Sequence, residues 1–525
     1  MPFVTLDSVT AVTPDGRPLF NNLSLAFGAE RTGLVGRNGA GKSTLLRLIA
    51  GEQAPAAGAV ARTGTVGVLR QTHAPPADIS LGDWLGLGEG LRRLDRIQAG
   101  EGTEDDFALA DWTLPARAET ALAEVGLGGL ELARPAVGLS GGQATRAALA
   151  GLLATAPDLI LLDEPTNNLD AEARGMVADV LRRWRGGAVV VSHDRALLEA
   201  VDRIVELSSL GAAVYGGGYA LYAERKAAER QAAAHDLATA EREAGQAARA
   251  AQAARERQAR RDAAGRRMAA KGDQPKVMLG TMAGWAEASG ARGERIAERR
   301  AEASSAALAE ARGRVERDRP QAFDLPASGL PAGRQVLRFD KVGFGWPGEA
   351  PILRGVDFSL TGPERAAVVG RNGAGKSTLL GLAAGLLQPT RGEVMLAVRA
   401  ALLDQSAHLL DESLSVLENF RRLNPAADGN TAHAALARFA FRNVAADQLV
   451  VTLSGGERLR AALACVLAQP QPPQLLMLDE PTNHLDLAAV EELENALAAY
   501  DGALLVASHD EAFLEAIGVE RRIEL

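Results

Sequence analysis

Short unbroken apolar runs alternate with helix-forming stretches along the chain, and the alternation occurs twice. In the first half, Leu159–Leu162 and Ala188–Val191 are such runs, and Leu475–Leu478 and Ala503–Ala507 are their counterparts in the second. Each half opens on strand-forming sequence, Phe3–Leu6 and Val336–Phe339. Apolar runs of this length with no polar alternation predict strands buried on both faces, and hence a largely parallel sheet covered by helices. The predicted fold class is α/β.

The middle of the chain has a different pattern. From Tyr222 to Ala264 there is no proline, a single glycine (Gly245), and a dense mixture of Ala, Arg, Glu and Gln. These residues favour helix, and a continuous helix of that length would reach on the order of 60 Å. Glycines 265, 272, 280, 284 and 290, with Pro275, interrupt the pattern. A second helical run is predicted from Ala291 to Arg319, ended by Pro320. The expectation is a long α-helical hairpin with alanine-rich seams that allow close approach, followed by a connector over 320–334. The domain division is therefore 1–221, a linker at 222–334, and 335–525.

The two flanking domains are copies of one another. GRNGAGKSTLL occurs at 36–46 and 370–380, LSGG at 139–142 and 453–456, LDEPTN at 162–167 and 478–483, and SHD at 192–194 and 508–510. The order is kept, so a duplicated domain explains the repeats better than chance does. Gln71 to Leu139 spans 68 positions, whereas Gln405 to Leu453 spans 48. The first copy thus carries extra residues near Glu89–Trp112, expected to form a longer surface loop with a helix or a small contact arm.

Gly36–Ser43 and Gly370–Ser377 fit a phosphate-binding loop. Gly36, Asn38, Gly39 and Gly41, with Gly370, Asn372, Gly373 and Gly375 in the repeat, allow backbone N–H groups to converge on phosphates. Lys42 or Lys376 brings a charge to the β/γ oxygens, and Ser43 or Ser377 offers a hydroxyl to Mg²⁺. Thr44 or Thr378 follows on a helix whose N-terminal dipole favours an anion. Asp163 and Asp479 sit at predicted strand ends, suited to hold Mg²⁺ through its water shell. Glu164 and Glu480 come next and are candidates for polarising the attacking water. Ser140-Gly141-Gly142 and Ser454-Gly455-Gly456 at helix starts form a second anion site. That site is redundant within its own half, which suggests that it serves the nucleotide of the other half.

Phosphate loop, LSGG, the DEP segment and SHD in this order resemble the ABC ATPases, over nearly all of both halves. The resemblance implies P-loop ABC-type nucleotide-binding domains that pair head to tail around two ATP. One site would then use Lys42, Ser43, Gln71, Asp163, Glu164 and His193 against Ser454 and Gly456. The other would use Lys376, Ser377, Gln405, Asp479, Glu480 and His509 against Ser140 and Gly142. It further implies that His193 and His509 contact the γ-phosphate and that Gln71 and Gln405 help to place Mg²⁺ and water. Asp170 and Asp486 match the family's segment that crosses between sites. The family stacks an aromatic residue on adenine; Trp346 matches in the second half, whereas the first has Thr13 or Pro14.

LDEPTNNLD and LDEPTNHLD, joined by a charged helical linker, are similar to the ABC-F family. That likeness implies a cytoplasmic ATP hydrolase that uses ATP and Mg²⁺, works as a monomer, and has no membrane partner. It implies the ribosome as partner, with the linker near rRNA and tRNA. The alternative is the energising subunit of a membrane importer. Charge bears on the choice. The whole chain carries −9, yet residues 221–320 hold 21 Lys/Arg against 15 Asp/Glu, a net of +6. Residues 255–276 hold eight basic side chains, from Arg255 to Lys276, against three acids. This is a local footprint for a phosphate backbone on an acidic protein, and Trp285 is a candidate to stack on a base. The chain has one cysteine, Cys465, in an apolar run. That excludes an intramolecular disulfide or an iron–sulfur cluster within it and reads as a buried core residue.

Overall fold

The computed structural model describes the chain apart from residues 14, 70–77, 168, 209–210, 272–295, 297, 313–324, 349, 405–408, 440, 470 and 484. Side chains at 258, 262, 265–266 and 268–271 are also outside the description. Two compact units emerge, Met1–Tyr222 with Gln321–Leu525, and Ala223–Pro320.

The first half runs β1 (Val4–Val12), β2 (Pro18–Phe27), β3 (Arg31–Val35), α1 (Lys42–Ala50), β4 (Ala57–Arg62) and β5 (Val66–Leu69). It continues through α2 (Leu81–Trp84), α3 (Gly88–Gln98), α4 (Glu104–Ala108), α5 (Leu114–Glu124), α6 (Gly141–Thr155) and β6 (Leu159–Asp163). It closes with α7 (Ala171–Arg183), β7 (Gly187–Val191), α8 (Arg195–Leu198), β8 (Arg203–Ser208) and β9 (Gly211–Gly216). Its main sheet has the order β5-β6-β7-β3-β8-β9, parallel except for the antiparallel β8–β9 pair. A separate antiparallel sheet, β2-β1-β4, lies alongside it.

The apolar runs explain the layering, because successive strand residues point to opposite faces. In β6, Leu159 and Leu161 join the core that α1 shares with the antiparallel sheet, while Ile160 and Leu162 join the core beneath α5, α6 and α7. Each fully buried leucine contributes roughly 1.5–3 kcal/mol, so a polar residue on either face would be costly.

After the linker, whose two helices are numbered α9 (Tyr219–Lys271) and α10 (298–312), come β10 (Gln335–Phe344), β11 (Leu353–Thr361), β12 (Arg365–Val369) and α11 (Lys376–Ala383). The half continues with β13 (Arg391–Leu396), β14 (Ala400–Leu403), α12 (Val416–Leu423), α13 (Gly429–Arg438), α14 (Gly455–Leu467) and β15 (Leu475–Asp479). Last are α15 (Leu487–Ala499), β16 (Ala503–Ala507), α16 (Glu511–Ala516) and β17 (Arg521–Glu524). The sheets are β14-β15-β16-β12-β17, all parallel, and the antiparallel β11-β10-β13. Cys465 is buried among the apolar residues of α14, and burial pushes its thiol up to about 12.

α9 extends from Tyr219 to Lys271 and forms, from Ala223 on, the first helix of the second unit; 298–312 form α10. Ion pairs Arg255–Glu298 (2.9 Å) and Arg312–Glu241 (3.4 Å) link them in antiparallel sense. Ala251 and Ala311 are buried, as expected of an alanine seam. The helix does not stop at Gly265, contrary to the sequence expectation. One helical glycine costs about 1 kcal/mol relative to alanine, too little to end a helix flanked by good formers. The first half's insertion contains two helices, α3 and α4, where a longer surface loop with one helix or a small contact arm was expected. Thr103 and Asp106 cap α4 reciprocally, and Arg96 pairs with Asp106 at 2.6 Å. Trp285 and the segment around Lys276 lie outside the described residues.

Candidate functional site

Each phosphate loop leaves the C-terminal end of an interior strand of its main sheet, β3 or β12, and turns directly into a helix. Gly36 has φ 148°, and a Cβ there would lie 2.3 Å from the carbonyl oxygen of Leu207. Gly41, at φ 96°, is the N-cap of α1 and contributes no side-chain cap. Gly375, at φ 102°, plays the same part for α11. The first N–H groups of both helices therefore lack a side-chain acceptor and suit an anion.

Lys42 and Lys376 are buried at 8% and 7% exposure. Lys42 donates from Nζ to the Gly36 carbonyl at 2.7 Å, and Lys376 to the Gly370 carbonyl at 3.1 Å. Burial holds both ammonium groups below the usual lysine range, against the pull of Glu164 and Asp486 on Lys42 and of Glu480 and Asp479 on Lys376. Asp163 and Asp479 close their strands, and each is hydrogen-bonded to the serine of its own loop, Ser43 or Ser377. Burial raises both carboxyls above the ordinary aspartate range.

Glu164 and Glu480 follow in the left-handed backbone region, at φ 49° and 45°. Their N–H groups donate to Val191 and Ala507 on the neighbouring strands, at 2.9 and 2.8 Å, which holds the turn. In the first half, Nε2 of His193 lies 3.0 Å from Oε1 of Glu164. In the second, Nε2 of His509 lies 2.7 Å from Nζ of Lys376 and 3.4 Å from Oε1 of Glu480. With Lys376 as the donor, the imidazole is neutral. Burial and the nearby Lys376 and Arg174 charges lower its pKa to about 4. Burial raises the Glu480 carboxyl to about 7, against the pull of Lys376 and Arg174. Both carboxylate oxygens of Glu480 are buried without a hydrogen-bond partner.

Two clefts of about 400 and 430 Å³ surround these groups. The first is lined by Asn38, Gly39, Gly41, Lys42, Ser43, Thr44, Asp163, Glu164 and His193, with Thr13 and Leu19. The second is lined by Asn372, Gly373, Gly375, Lys376, Ser377, Thr378, Asp479, Glu480 and His509, with Ile352. Leu19 and Ile352 had no sequence signal of their own; each precedes a strand residue packed under its loop. Trp346 stands outside the lining, 44% exposed and edge-on to Phe344 at 5.2 Å. Gln71 and Gln405 lie outside the described residues.

The two halves meet at these clefts. Asp486 caps α15 through the Ala489 N–H (2.9 Å) and also accepts from the Asn38 N–H of the opposite phosphate loop at 2.7 Å. Asp170 does the same for α7 through Ala173 (3.1 Å) and for Asn372 at 3.4 Å. Burial works against the Asp170 carboxylate, but these N–H donors outweigh it and lower its pKa. The signature segments behave differently. The Ser140 hydroxyl accepts from the Gln143 N–H at 3.3 Å and that of Ser454 from the Glu457 N–H at 3.4 Å, capping their own helices. Ser140–Gly142 and Ser454–Gly456 are not among the residues lining either cleft.

Two phosphate loops with strand-end acidic pairs, each tied to the other half's crossing aspartate, define a tandem ATP-binding cassette ATPase. A family model described as ABC transporter matches residues 20–167 and 353–483. The chain is 35% identical to the tylosin resistance ATP-binding protein TlrC of Streptomyces fradiae, over 94% of this chain and 92% of that protein. It is 31% identical to the putative ATP-binding protein YdiF of Bacillus subtilis (97% and 77% covered). It is 34% identical to the ATP-binding protein Uup of Caulobacter vibrioides (95% and 73%). Among solved structures, an RNase-L inhibitor superposes with a TM-score of 0.56 at 18% identity, covering 98% of this chain and 87% of that one, which speaks to the fold alone. The chain belongs to the ABC-F family of ATP-binding cassette proteins and is an ABC-type ATP hydrolase.

Proposed function

We propose that the chain binds one ATP with Mg²⁺ in each cleft, pairs its cassettes around them, and uses that pairing to engage and release the ribosome through the helical hairpin. The observation that carries the pairing is the reciprocal bond of Asp486 to the Asn38 N–H and of Asp170 to the Asn372 N–H. Each half of one chain thus reaches the other's phosphate loop, which supports pairing within a monomer.

The residues fit the groups they would hold. Uncapped N–H groups of α1 and α11 would meet the phosphates, and Lys42 or Lys376 would neutralise their terminal oxygens. Mg²⁺ is usually held by one or two protein oxygens beside phosphates and water, which is what Ser43 with Asp163 and Ser377 with Asp479 offer. When bound, it would neutralise charge developing on the transferred phosphoryl group. Glu164 and Glu480 would orient the attacking water, with His193 and His509 beside the γ-phosphate. Gln71 and Gln405 would complete the Mg²⁺ and water arrangement. Cassette closure would bring Ser454–Gly456 over the first nucleotide and Ser140–Gly142 over the second. ATP favours the closed form only through contacts absent from the open one, and the signature segments would provide those contacts.

The ribosomal partner is supported by family membership and by the basic charge of the linker sequence, suited to rRNA and tRNA backbones in the cytoplasm. No described helix is long and apolar enough to cross a membrane. The name of TlrC favours a second reading, in which the same cycle serves resistance to an antibiotic.

The test is co-sedimentation of the Glu164→Gln/Glu480→Gln protein with ribosomes. The expected outcome is pelleting that needs ATP and disappears when residues 255–290 are deleted. No pelleting under either condition would shift the reading to an importer subunit. A normal ATPase rate in the double variant would overturn the assignment of the glutamates.

A further inference from the structure

The two clefts differ on the side that faces the other cassette. Among the described residues, every one lining the first cleft belongs to the first cassette. The second is completed across the interface by Leu169 and Arg174 of the first cassette. Arg174 sits in the first turn of α7, where its Nε donates to the Leu169 carbonyl at 3.0 Å. That bond uses one nitrogen and anchors the stem. Among the described residues, no carboxylate lies within ion-pair distance of the guanidinium. Its charge nevertheless reaches the centre of the cleft, opposing protonation of His509 and favouring ionised Glu480.

The repeat shows what the first cleft lacks. Asp170 and Asp486 are equivalent crossing aspartates, and four residues beyond Asp486 stands Val490, 3% exposed in the second cassette's core. A half-buried guanidinium therefore faces one phosphate loop, and an aliphatic side chain takes the same position near the other.

We propose that Arg174 contacts the terminal phosphate of the nucleotide in the second cleft from the opposite cassette, so that this site alone senses a triphosphate through a cation supplied across the interface. The proposal rests on reading the clefts as nucleotide sites. The chemistry is that of a fork of N–H donors meeting phosphate oxygens. Because Lys376, Glu480 and His509 cluster at the γ end of the loop, a diphosphate would leave Arg174 without a partner.

The experiment measures ATP and ADP affinity calorimetrically in a Lys42→Ala/Glu480→Gln protein, which retains only the second cleft and does not turn over. Adding Arg174→Val is expected to weaken ATP binding roughly tenfold to a hundredfold and to leave ADP binding nearly unchanged. Arg174→Lys should recover part of the loss, since a point charge remains without the fork. A Lys376→Ala/Glu164→Gln protein reads the first cleft, where Arg174→Val should cost much less. Equal weakening of ATP and ADP, or equal losses in the two clefts, would overturn the role given to Arg174. If the protein with Arg174 intact bound neither nucleotide, the nucleotide-site reading itself would fall.

Discussion

The backbone of Glu164 and Glu480 lies where a side chain is disfavoured, at φ 49° and 45°, a conformation that costs on the order of 1–3 kcal/mol. It persists because the next strand's carbonyl takes the N–H, so the carboxylate is delivered to the cleft at a fixed angle. Glu480 has a second burden, since its carboxyl is buried without a hydrogen-bond partner and its pKa is raised to about 7. A carboxyl raised on folding binds its proton more tightly in the native state, so its contribution to stability is full below the unfolded value of about 4.5 and is lost as pH rises through about 7. Glu480→Gln removes that dependence. In nucleotide-free protein, the variant should match the parent near pH about 4 and exceed it by up to about 3 kcal/mol near pH about 8. Urea unfolding at the two pH values checks this, and a gain independent of pH would contradict it.

At the scale of elements, the repeat and the unbroken apolar runs were enough to place the main strands, because a strand buried on both faces has no polar alternation to obscure it. The separate antiparallel sheets were legible only in part: the openings of β1 and β10 were predicted as strands, but both strands are bulged, so their pattern slips out of period. The crossing of Asp170 and Asp486 was accessible only through family likeness, and Arg174 through neither route, because a single arginine in a helix's first turn carries no pattern. The signature serines were legible as lying at helix starts, read there as an anion site; that their hydroxyls cap their own helices came from the structure, and their relation to the opposite cleft depends on how the cassettes sit. The hairpin was legible from alanine content, and its seam can be tested. Ala251 and Ala311 are buried at 8% and 6% exposure. Ala251→Leu should overpack the seam and cost about 1–3 kcal/mol, seen as faster proteolysis within 223–320, whereas Gln252→Leu on the exposed side should not.

For the whole molecule, the question is what keeps two complete cassettes in one compact unit. Arg371–Glu172 spans the halves at 3.1 Å, but its side chains are 81% and 69% exposed, and such pairs contribute about 0–1 kcal/mol. Arg195–Glu494 is different, because it spans the halves at 2.8 Å with side chains 14% and 13% exposed. Arg195 also lies over the Tyr219 ring at 5.6 Å. Burial raises the Glu494 carboxyl and Arg195 holds it down, so loss of the arginine strands an acid in a dry interface. Arg195→Ala or Glu494→Ala should each cost about 3–5 kcal/mol. The double variant should cost less than the sum, because neither charge is then left alone. Urea unfolding across the four proteins measures the coupling. Additivity within about 0.5 kcal/mol would mean that the pair does not join the cassettes and would shift that role, among the described residues, to ties such as the crossing aspartates and the apolar contact of Leu487 with the first cassette's core.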